Sequence, residues 1–177
     1  MTIDNLADSE IVVAWRRNEP YGPTATLAYD INSALLAGGA ESWNGEWTAL
    51  LAELDELFDF NSTAKKMRCY RACPMWTVKT LLQSGELKYT AFLSTTSSIN
   101  VAGRFFRSIP VTEDRVMLIL NIPEGIPMLD VQSRLYAGIG ENEFVLPRNL
   151  KLKLQSVKNE EGYVEAQVDV CSICAEA

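Results

Sequence analysis

The 177-residue sequence contains no histidine. This excludes serine and cysteine nucleophiles that depend on an imidazole base, and it removes the usual zinc enzyme sites. Acid–base chemistry must therefore rest on carboxylates, lysines or tyrosines. The formal net charge is −7 and no basic run is longer than a pair, which disfavours general binding to nucleic acid or anionic membranes.

Long apolar runs are also missing, since none approaches the ~18 residues that a membrane span requires. The segment "MTIDNLADSE" is acidic and lacks the basic start and apolar centre of a secretory signal. Hydrophobic residues make up 47% and charged residues 22%, as in a folded globular protein. We therefore expect one soluble domain over residues 1–177, located in the cytoplasm.

Cysteine is scarce, with four residues: Cys69, Cys73, Cys171 and Cys174. The C-x3-C and C-x2-C spacings are compatible with a four-thiolate zinc site. The first pair, however, lies in an apolar strand-like segment, and the second pair follows the last strand-like pattern. Buried or free thiols in a reducing compartment are the alternative that we favour, and we expect no bound metal.

Two helices are predicted in the first third of the chain. In "TATLAYDINSALLAGG", apolar residues recur at Leu27, Ile31 and Leu35, and glycines end the pattern. In "WNGEWTALLAELDELFDF", the apolar stripe consists of Trp43, Trp47, Leu50, Leu51, Leu54, Leu57 and Phe58. Both patterns predict helices that pack one face on the core.

After residue 67 the sequence mostly has the pattern of strands. In "LKLKLQSV" and "GYVEAQVDV", apolar and polar residues alternate, as in strands that have one buried and one solvent-exposed face. Further strands are predicted in "MRCYRAC", "YTAFLSTTSS", "RVMLILNI", "PMLDV" and "FVLPR", with short helices in "PMWTVKTLLQSG" and "INVAGRFFRS". Helices first and strands afterwards predict an α+β fold with mostly antiparallel pairing.

Three polar features interrupt these apolar strands: Arg71, the run Ser94–Thr96, and the pair Glu141 and Glu143. In an extended chain the two glutamates share a face, and their repulsion would raise the pKa of one carboxyl. Taken singly, the features could be a surface ion pair, a turn and a solvated strand end. Their positions at strand ends favour a functional site instead.

In this order, Tyr70-Arg71, Phe92-x-Ser94-Thr95-Thr96 and Glu141-x-Glu143 resemble the motifs of the mono-ADP-ribosyltransferases of the Arg–Ser–Glu type. This is the cholera-toxin-like, arginine-specific class of bacterial toxins, effectors and phage enzymes. The resemblance covers roughly residues 27–157, including "YDINSALLAG" and "RVMLILNIPEGIPMLDV". It implies N-terminal helices packed on a split, mostly antiparallel β core that forms an NAD cleft.

The implied activity is transfer of ADP-ribose from NAD to an arginine side chain, with release of nicotinamide. The resemblance assigns Glu143 to stabilise the oxocarbenium-like ribose, and Ser94 to hold Glu143. Glu141 would hold and deprotonate the acceptor guanidinium, whose pKa lies above ~12. Within the family, glutamate at this position goes with arginine acceptors. The implied partners are a target protein with an exposed arginine and an immunity or antitoxin protein, in the cytoplasm of the producing or the target cell.

The resemblance also implies a set of residues that bind NAD. Arg71 offers a planar fork for the pyrophosphate, and Thr95 and Thr96 would shape the nicotinamide pocket. The full set is Tyr70, Arg71, Ala72, Ser94, Thr95, Thr96, Arg104 and Phe106. Arg104, like Arg107, could contact phosphate or could lie on the solvated face of a helix. Tyr136, in the glycine-containing segment "SRLYAGIG", would recognise the acceptor.

Four other functions are compatible with parts of this pattern. An NAD glycohydrolase would use water as the acceptor, but Glu141 argues against it. A nucleobase- or RNA-modifying transferase is disfavoured by the acidic composition and by the same glutamate. An inactive NAD-fold binding module would have lost Arg71, Ser94 or Glu143. A sugar hydrolase would place its two carboxylates on opposite sides of the bond.

Overall fold

The computed structural model describes residues 27–38, 45–58, 65–110, 112, 114–131 and 142–173. Its helices are α1 (Leu27–Leu36), α2 (Gly45–Glu56), α3 (Lys79–Ser84) and α4 (Ile99–Ser108), and a 3-10 turn (Met75–Val78) precedes α3. Its strands are β1 (Met67–Pro74), β2 (Glu86–Tyr89), β3 (Leu93–Thr96), β4 (Arg115–Ile122), β5 (Leu129–Asp130), β6 (Glu143–Leu146), β7 (Leu150–Glu160) and β8 (Tyr163–Ile173). None of these helices is long and apolar enough to cross a membrane.

The strands form one sheet in the order β2-β7-β8-β4-β1-β3-β6-β5. All neighbours are antiparallel except β4 and β8, which run parallel. Strands β1 and β4 pair over eight residues, whereas β1 and β3 share only the pair Tyr70 and Thr96. This narrow joint divides the sheet into a five-stranded and a three-stranded part. The predicted α+β fold with a split, mostly antiparallel core is therefore confirmed.

The helical stripes pack against this sheet as their periodicity predicted. Ile31 and Leu35 of α1 are buried, and so are the following residues of α2 and its end: Leu51, Leu54, Leu57 and Phe58. The Phe58 ring stacks on Phe92, with ring centroids 5.7 Å apart and planes 12° apart. Trp43 and the side chains of Leu27 and Trp47 lie outside the described residues.

An ion pair fixes the end of α2 to the turn between β6 and β7. The Arg148 guanidinium donates hydrogen bonds to the Asp55 carboxylate from two nitrogens, with Nε 2.9 Å and Nη2 2.7 Å from Oδ2. Both side chains are largely removed from solvent. Because a bidentate pair restrains orientation as well as distance, it holds α2 against the strand that begins at Glu143.

Strands β7 and β8 show the predicted alternation of buried and solvent-exposed side chains. Leu150 and Leu152 of β7 are fully buried, as are Ala166 and Val168 of β8, while Lys153 is exposed. Strand β2 was not predicted, because "ELKY" is short and ends directly before a turn. The parallel pairing of β4 with β8 was also unforeseen, since alternation reveals faces and not neighbours.

The cysteines that the structure describes are separate thiols. Cys69 and Cys73 are buried on β1, Cys171 is exposed on β8, and Cys174 lies outside the described residues. Within the described ranges, no group of three or more cysteine, aspartate and glutamate side chains could hold a metal ion. The expectation of one domain over residues 1–177 stays a prediction, as does the expectation that no metal is bound.

Candidate functional site

The three sequence motifs lie on adjacent strands, although they are far apart along the chain. Tyr70 on β1 is opposite Thr96 on β3, and Thr96 is opposite Glu143 on β6. Residues directly opposite in a sheet point to the same face. The fold therefore brings Tyr70, Thr96 and Glu143 into one row at the joint of the split sheet, and Arg71 follows this row directly on β1.

The two threonines of the hydroxyl motif are buried and hold this row together. Thr95 is 4% exposed and its hydroxyl donates to the carbonyl of Phe144, with Oγ1 and O 3.0 Å apart. Thr96 is 5% exposed, and its Oγ1 accepts a hydrogen bond from the Ser98 amide at 3.1 Å. One side chain therefore links β3 to β6, and the other fixes the start of α4, where Ser98 is the N-cap.

The backbone on both sides of Glu143 is also fixed. Asn142 has a φ of +45°, a left-handed conformation that asparagine tolerates better than most residues. Its carbonyl accepts a hydrogen bond from the Ser97 amide at 3.1 Å. The Glu143 carbonyl accepts one from the Val131 amide at 3.2 Å. The half-buried Glu143 side chain is therefore presented from a backbone that is anchored to β3 and to the residue after β5.

Arg71 is half-buried on β1 and is held by a neutral group. Its Nη1 donates to the main-chain carbonyl of Ser94 at 2.7 Å. Burial raises the pKa of Tyr89, although the charge of Arg71 acts in the opposite direction, so the phenol stays protonated at neutral pH. Among the described carboxylates, none forms an ion pair with Arg71. Within the described residues, this positive charge is therefore held in position without a carboxylate partner, which leaves it available to an anion.

The other predicted NAD-binding residues lie on β1 and α4. Ala72 is half-buried beside Arg71, and Arg104 is exposed on α4, as is Arg107. The Phe106 ring packs edge-on against Tyr163, with centroids 4.9 Å apart at 70°. The roles of these residues towards NAD stay predictions.

Phe106 also stacks with Arg115, whose guanidinium carbon lies 4.7 Å from the ring centroid. Arg115 pairs with Pro74, whereas the joint of the sheet is at Tyr70. Four residues of a strand span ~13 Å. The cluster of Phe106, Tyr163 and Arg115 is therefore separated by about that distance, along the strand direction, from the row that contains Glu143.

Two predicted acceptor residues, Glu141 and Tyr136, lie outside the described residues. Sequence reasoning also missed one feature of the site. Asn142 adopts a left-handed turn directly before Glu143, so the extended conformation expected for the Glu-x-Glu segment is interrupted at its middle residue.

The comparison with family models is decisive at this point, because the model described as ADP-ribosyltransferase exoenzyme matches residues 21–172. The chain belongs to the ADP-ribosyltransferase exoenzyme family. The predicted mono-ADP-ribosyltransferase of the toxin or effector type is thereby confirmed. Enzymes of this family take ADP-ribose from NAD. A comparison with curated protein sequences found no match.

Solved ADP-ribosyltransferase structures share the fold. Plx2a, a toxin from Paenibacillus larvae, superposes with a TM-score of 0.68 at 18% identity, over 97% of this chain and 88% of that one. C3stau2 from S. aureus, solved with NAD, gives a TM-score of 0.62 at 18% identity, over 80% and 79% of the two chains. The ADP-ribosyltransferase Vis, solved with agmatine, gives 0.53 at 15% identity, over 93% and 70%.

Proposed function

We propose that this ADP-ribosyltransferase transfers ADP-ribose from NAD to an arginine side chain of a target protein and releases nicotinamide. The observation that carries the proposal is the adjacency of β1, β3 and β6, with Tyr70, Thr96 and Glu143 in one row. This arrangement supports a shared site for residues that bind the donor and a residue that acts on its ribose.

On the donor side, Arg71 binds the NAD pyrophosphate. Its charge lacks a carboxylate partner in the described part of the chain, so a bound anion would supply the missing countercharge. One of its five N–H donors is occupied by the Ser94 carbonyl, which leaves the others for phosphate oxygens. The planar fork then fixes the dinucleotide relative to β3 and β6.

Glu143 stabilises the charge that develops when the bond between the ribose C1 and the nicotinamide nitrogen breaks. The bonding electrons leave with nicotinamide, and the ribose ring becomes oxocarbenium-like, as in glycoside hydrolysis. A carboxylate held in place before the reaction stabilises this state without reorganising. The anchored backbone around Glu143 supports such a role, and Ser94 on the neighbouring strand is the residue proposed to hold its side chain.

On the acceptor side, Glu141 binds the guanidinium and accepts its proton as a guanidine nitrogen attacks C1. Asn142, between the two glutamates, has a φ of +45°, so the chain turns directly before Glu143, and we propose that this turn lets one acid serve each substrate. Agmatine, with which Vis was solved, carries the same guanidinium group as arginine. Tyr136 is proposed to contact this acceptor, and an immunity or antitoxin protein stays a predicted partner.

The test is to incubate the enzyme with NAD and either agmatine or cadaverine, a diamine of similar length without a guanidinium. We expect an ADP-ribosylated product with agmatine alone, detected by mass spectrometry, together with faster nicotinamide release. Nicotinamide release that no guanidinium compound accelerates, without any product, would contradict arginine transfer and would indicate a glycohydrolase. Mass spectrometry of a lysate incubated with NAD then identifies the modified arginines.

A further inference from the structure

The outer side of α4 carries two arginines and no acidic side chain. The helix sequence is INVAGRFFRS, in a chain whose formal net charge is −7. Asn100, Arg104 and Arg107 are exposed, and Gly103 lies between them at spacings of three and four residues, so all four share one helix face. Ala102, on the opposite side of the helix, is buried. We call these four residues the α4 basic face.

The charges of this face are not neutralised within the described part of the chain. Neither Arg104 nor Arg107 forms an ion pair with a described carboxylate. A Cβ added at Gly103 would lie 3.8 Å from Nη1 of Arg107, and no other described atom would be within 4 Å of it. Packing therefore does not require a glycine there, although glycine weakens a helix interior. The centre of the face is shallow and open, with two guanidinium groups beside it.

Exposed apolar side chains flank the α4 basic face. Ile99 is 55% exposed and Phe105 is 51% exposed. Arginine next to aromatic side chains is a composition that is enriched in protein interfaces. This combination favours a protein surface as the binding partner over a small anion, which would use the arginines and leave the apolar groups in water.

The α4 basic face begins next to the proposed catalytic row. Ser98 is the N-cap of α4, and the residue before it donates its amide to the Asn142 carbonyl at 3.1 Å, directly before Glu143. Since an α-helix rises about 1.5 Å per residue, Arg104 and Arg107 lie ~9 Å and ~14 Å along α4 from Ser98. A protein that presents an arginine to Glu143 is large enough to cover this distance.

We propose that the α4 basic face docks an acidic segment of the protein whose arginine is modified. The proposal rests on the proposed transfer to arginine and adds a substrate class to it: acceptors with acidic side chains ~10–15 Å from the modified arginine. Opposite charges on the two surfaces accelerate association and disfavour acceptors that are basic at this place. Agmatine is too short to reach α4 and does not use the face.

The test uses two peptides, each with a single arginine followed by three glycine or serine residues and then by either four glutamates or four glutamines. In an extended peptide the first of these four side chains lies ~13 Å from the arginine. With the unmutated enzyme we expect kcat/KM for transfer to be about 10-fold higher for the glutamate peptide at low salt, and this preference to disappear in about 0.5 M NaCl. Mass spectrometry quantifies the product.

Gly103→Glu and Gly103→Gln form a matched pair of variants at the centre of the face. Both side chains have room, and both favour a helix more than glycine does. The glutamate precedes Arg107 by four residues, the favourable order for an ion pair within a helix. We expect Gly103→Glu to lose the preference for the glutamate peptide and Gly103→Gln to keep most of it. Transfer to agmatine should stay within about 2-fold in both variants.

Equal kcat/KM for the two peptides with the unmutated enzyme would overturn the inference, as would a preference that persists in Gly103→Glu. A raised KM for NAD in Gly103→Glu, with agmatine as the acceptor, would assign the two arginines to the dinucleotide phosphates and would also overturn it. Absence of any agmatine product with the unmutated enzyme would instead contradict the proposed transfer to arginine, so the two failures are distinguishable.

Discussion

Thr96 is directly opposite Glu143, and the same threonine is opposite Tyr70 on its other side. The short strand β3 therefore sets the distance between β1, which carries Arg71, and β6, which carries Glu143. It does so at the narrow joint where the sheet divides, where few other backbone bonds restrain the two parts. Changes in β3 are for this reason expected to affect the donor site more than changes of similar size in β7 or β8.

Arg71→Lys tests the proposed phosphate contact. An ammonium keeps the charge but cannot form the planar fork that reaches the Ser94 carbonyl and phosphate together. We expect NAD affinity to fall by about 100-fold, equivalent to ~2.7 kcal/mol. Isothermal titration with NAD measures it, and circular dichroism controls for folding. Unchanged affinity in a folded variant would remove Arg71 from the site.

The ion pair between Asp55 and Arg148 is predicted to stabilise the packing of α2. Because the contact is bidentate and partly buried, Asp55→Asn should lower the free energy of unfolding by ~1–2 kcal/mol. Glu86→Gln is the matched control, since it breaks the more exposed pair with Lys151 and should cost less than ~0.5 kcal/mol. Urea unfolding measures both free energies. Equal effects would show that the bidentate contact of Arg148 stabilises the protein no more than an exposed ion pair does.

Alkylation should distinguish the cysteines by burial. Burial raises the pKa of Cys69 to about 11 and also raises that of Cys73, so few thiolates exist at pH 8. Cys171 is exposed and serves as the internal control. With iodoacetamide in native buffer, we expect modification of Cys171 and protection of the β1 pair, read by mass spectrometry of peptides. Rapid modification of Cys69 in the folded protein would contradict the buried position of β1.

Much of the fold could be predicted from periodicity. Periodicity shows directly which side chains are buried. The predicted burial of Ile31 and Leu35 and the predicted alternation in β7 are both confirmed. Strand neighbours could not be predicted in this way, because pairing depends on the path of the whole chain. The parallel contact of β4 with β8 and the short strand β2 are of this kind.

The site was predictable in its residue types but not in its contacts. Arg71 and Ser94 were recognised from the motifs, yet the bond from the guanidinium to the Ser94 carbonyl involves a backbone group that no side-chain pattern reveals.

The two glutamates of the Glu-x-Glu motif carry the central claim, a division of labour between donor and acceptor. Glutamine keeps the shape of the side chain and removes its charge, so Glu143→Gln and Glu141→Gln form a matched pair. Loss of a carboxylate at a developing positive charge should cost ~3 kcal/mol or more, about 100-fold or beyond in rate. Loss of the acceptor carboxylate should affect only the transfer to a guanidinium.

The most direct measurement is nicotinamide release by both folded variants, with and without agmatine. We predict that Glu143→Gln abolishes release under both conditions. Glu141→Gln should lose the acceleration by agmatine and the ADP-ribosylated product, while slow hydrolysis of NAD continues. Equal loss of hydrolysis in the two variants would contradict the division of labour, and full activity of Glu143→Gln would contradict the catalytic site itself.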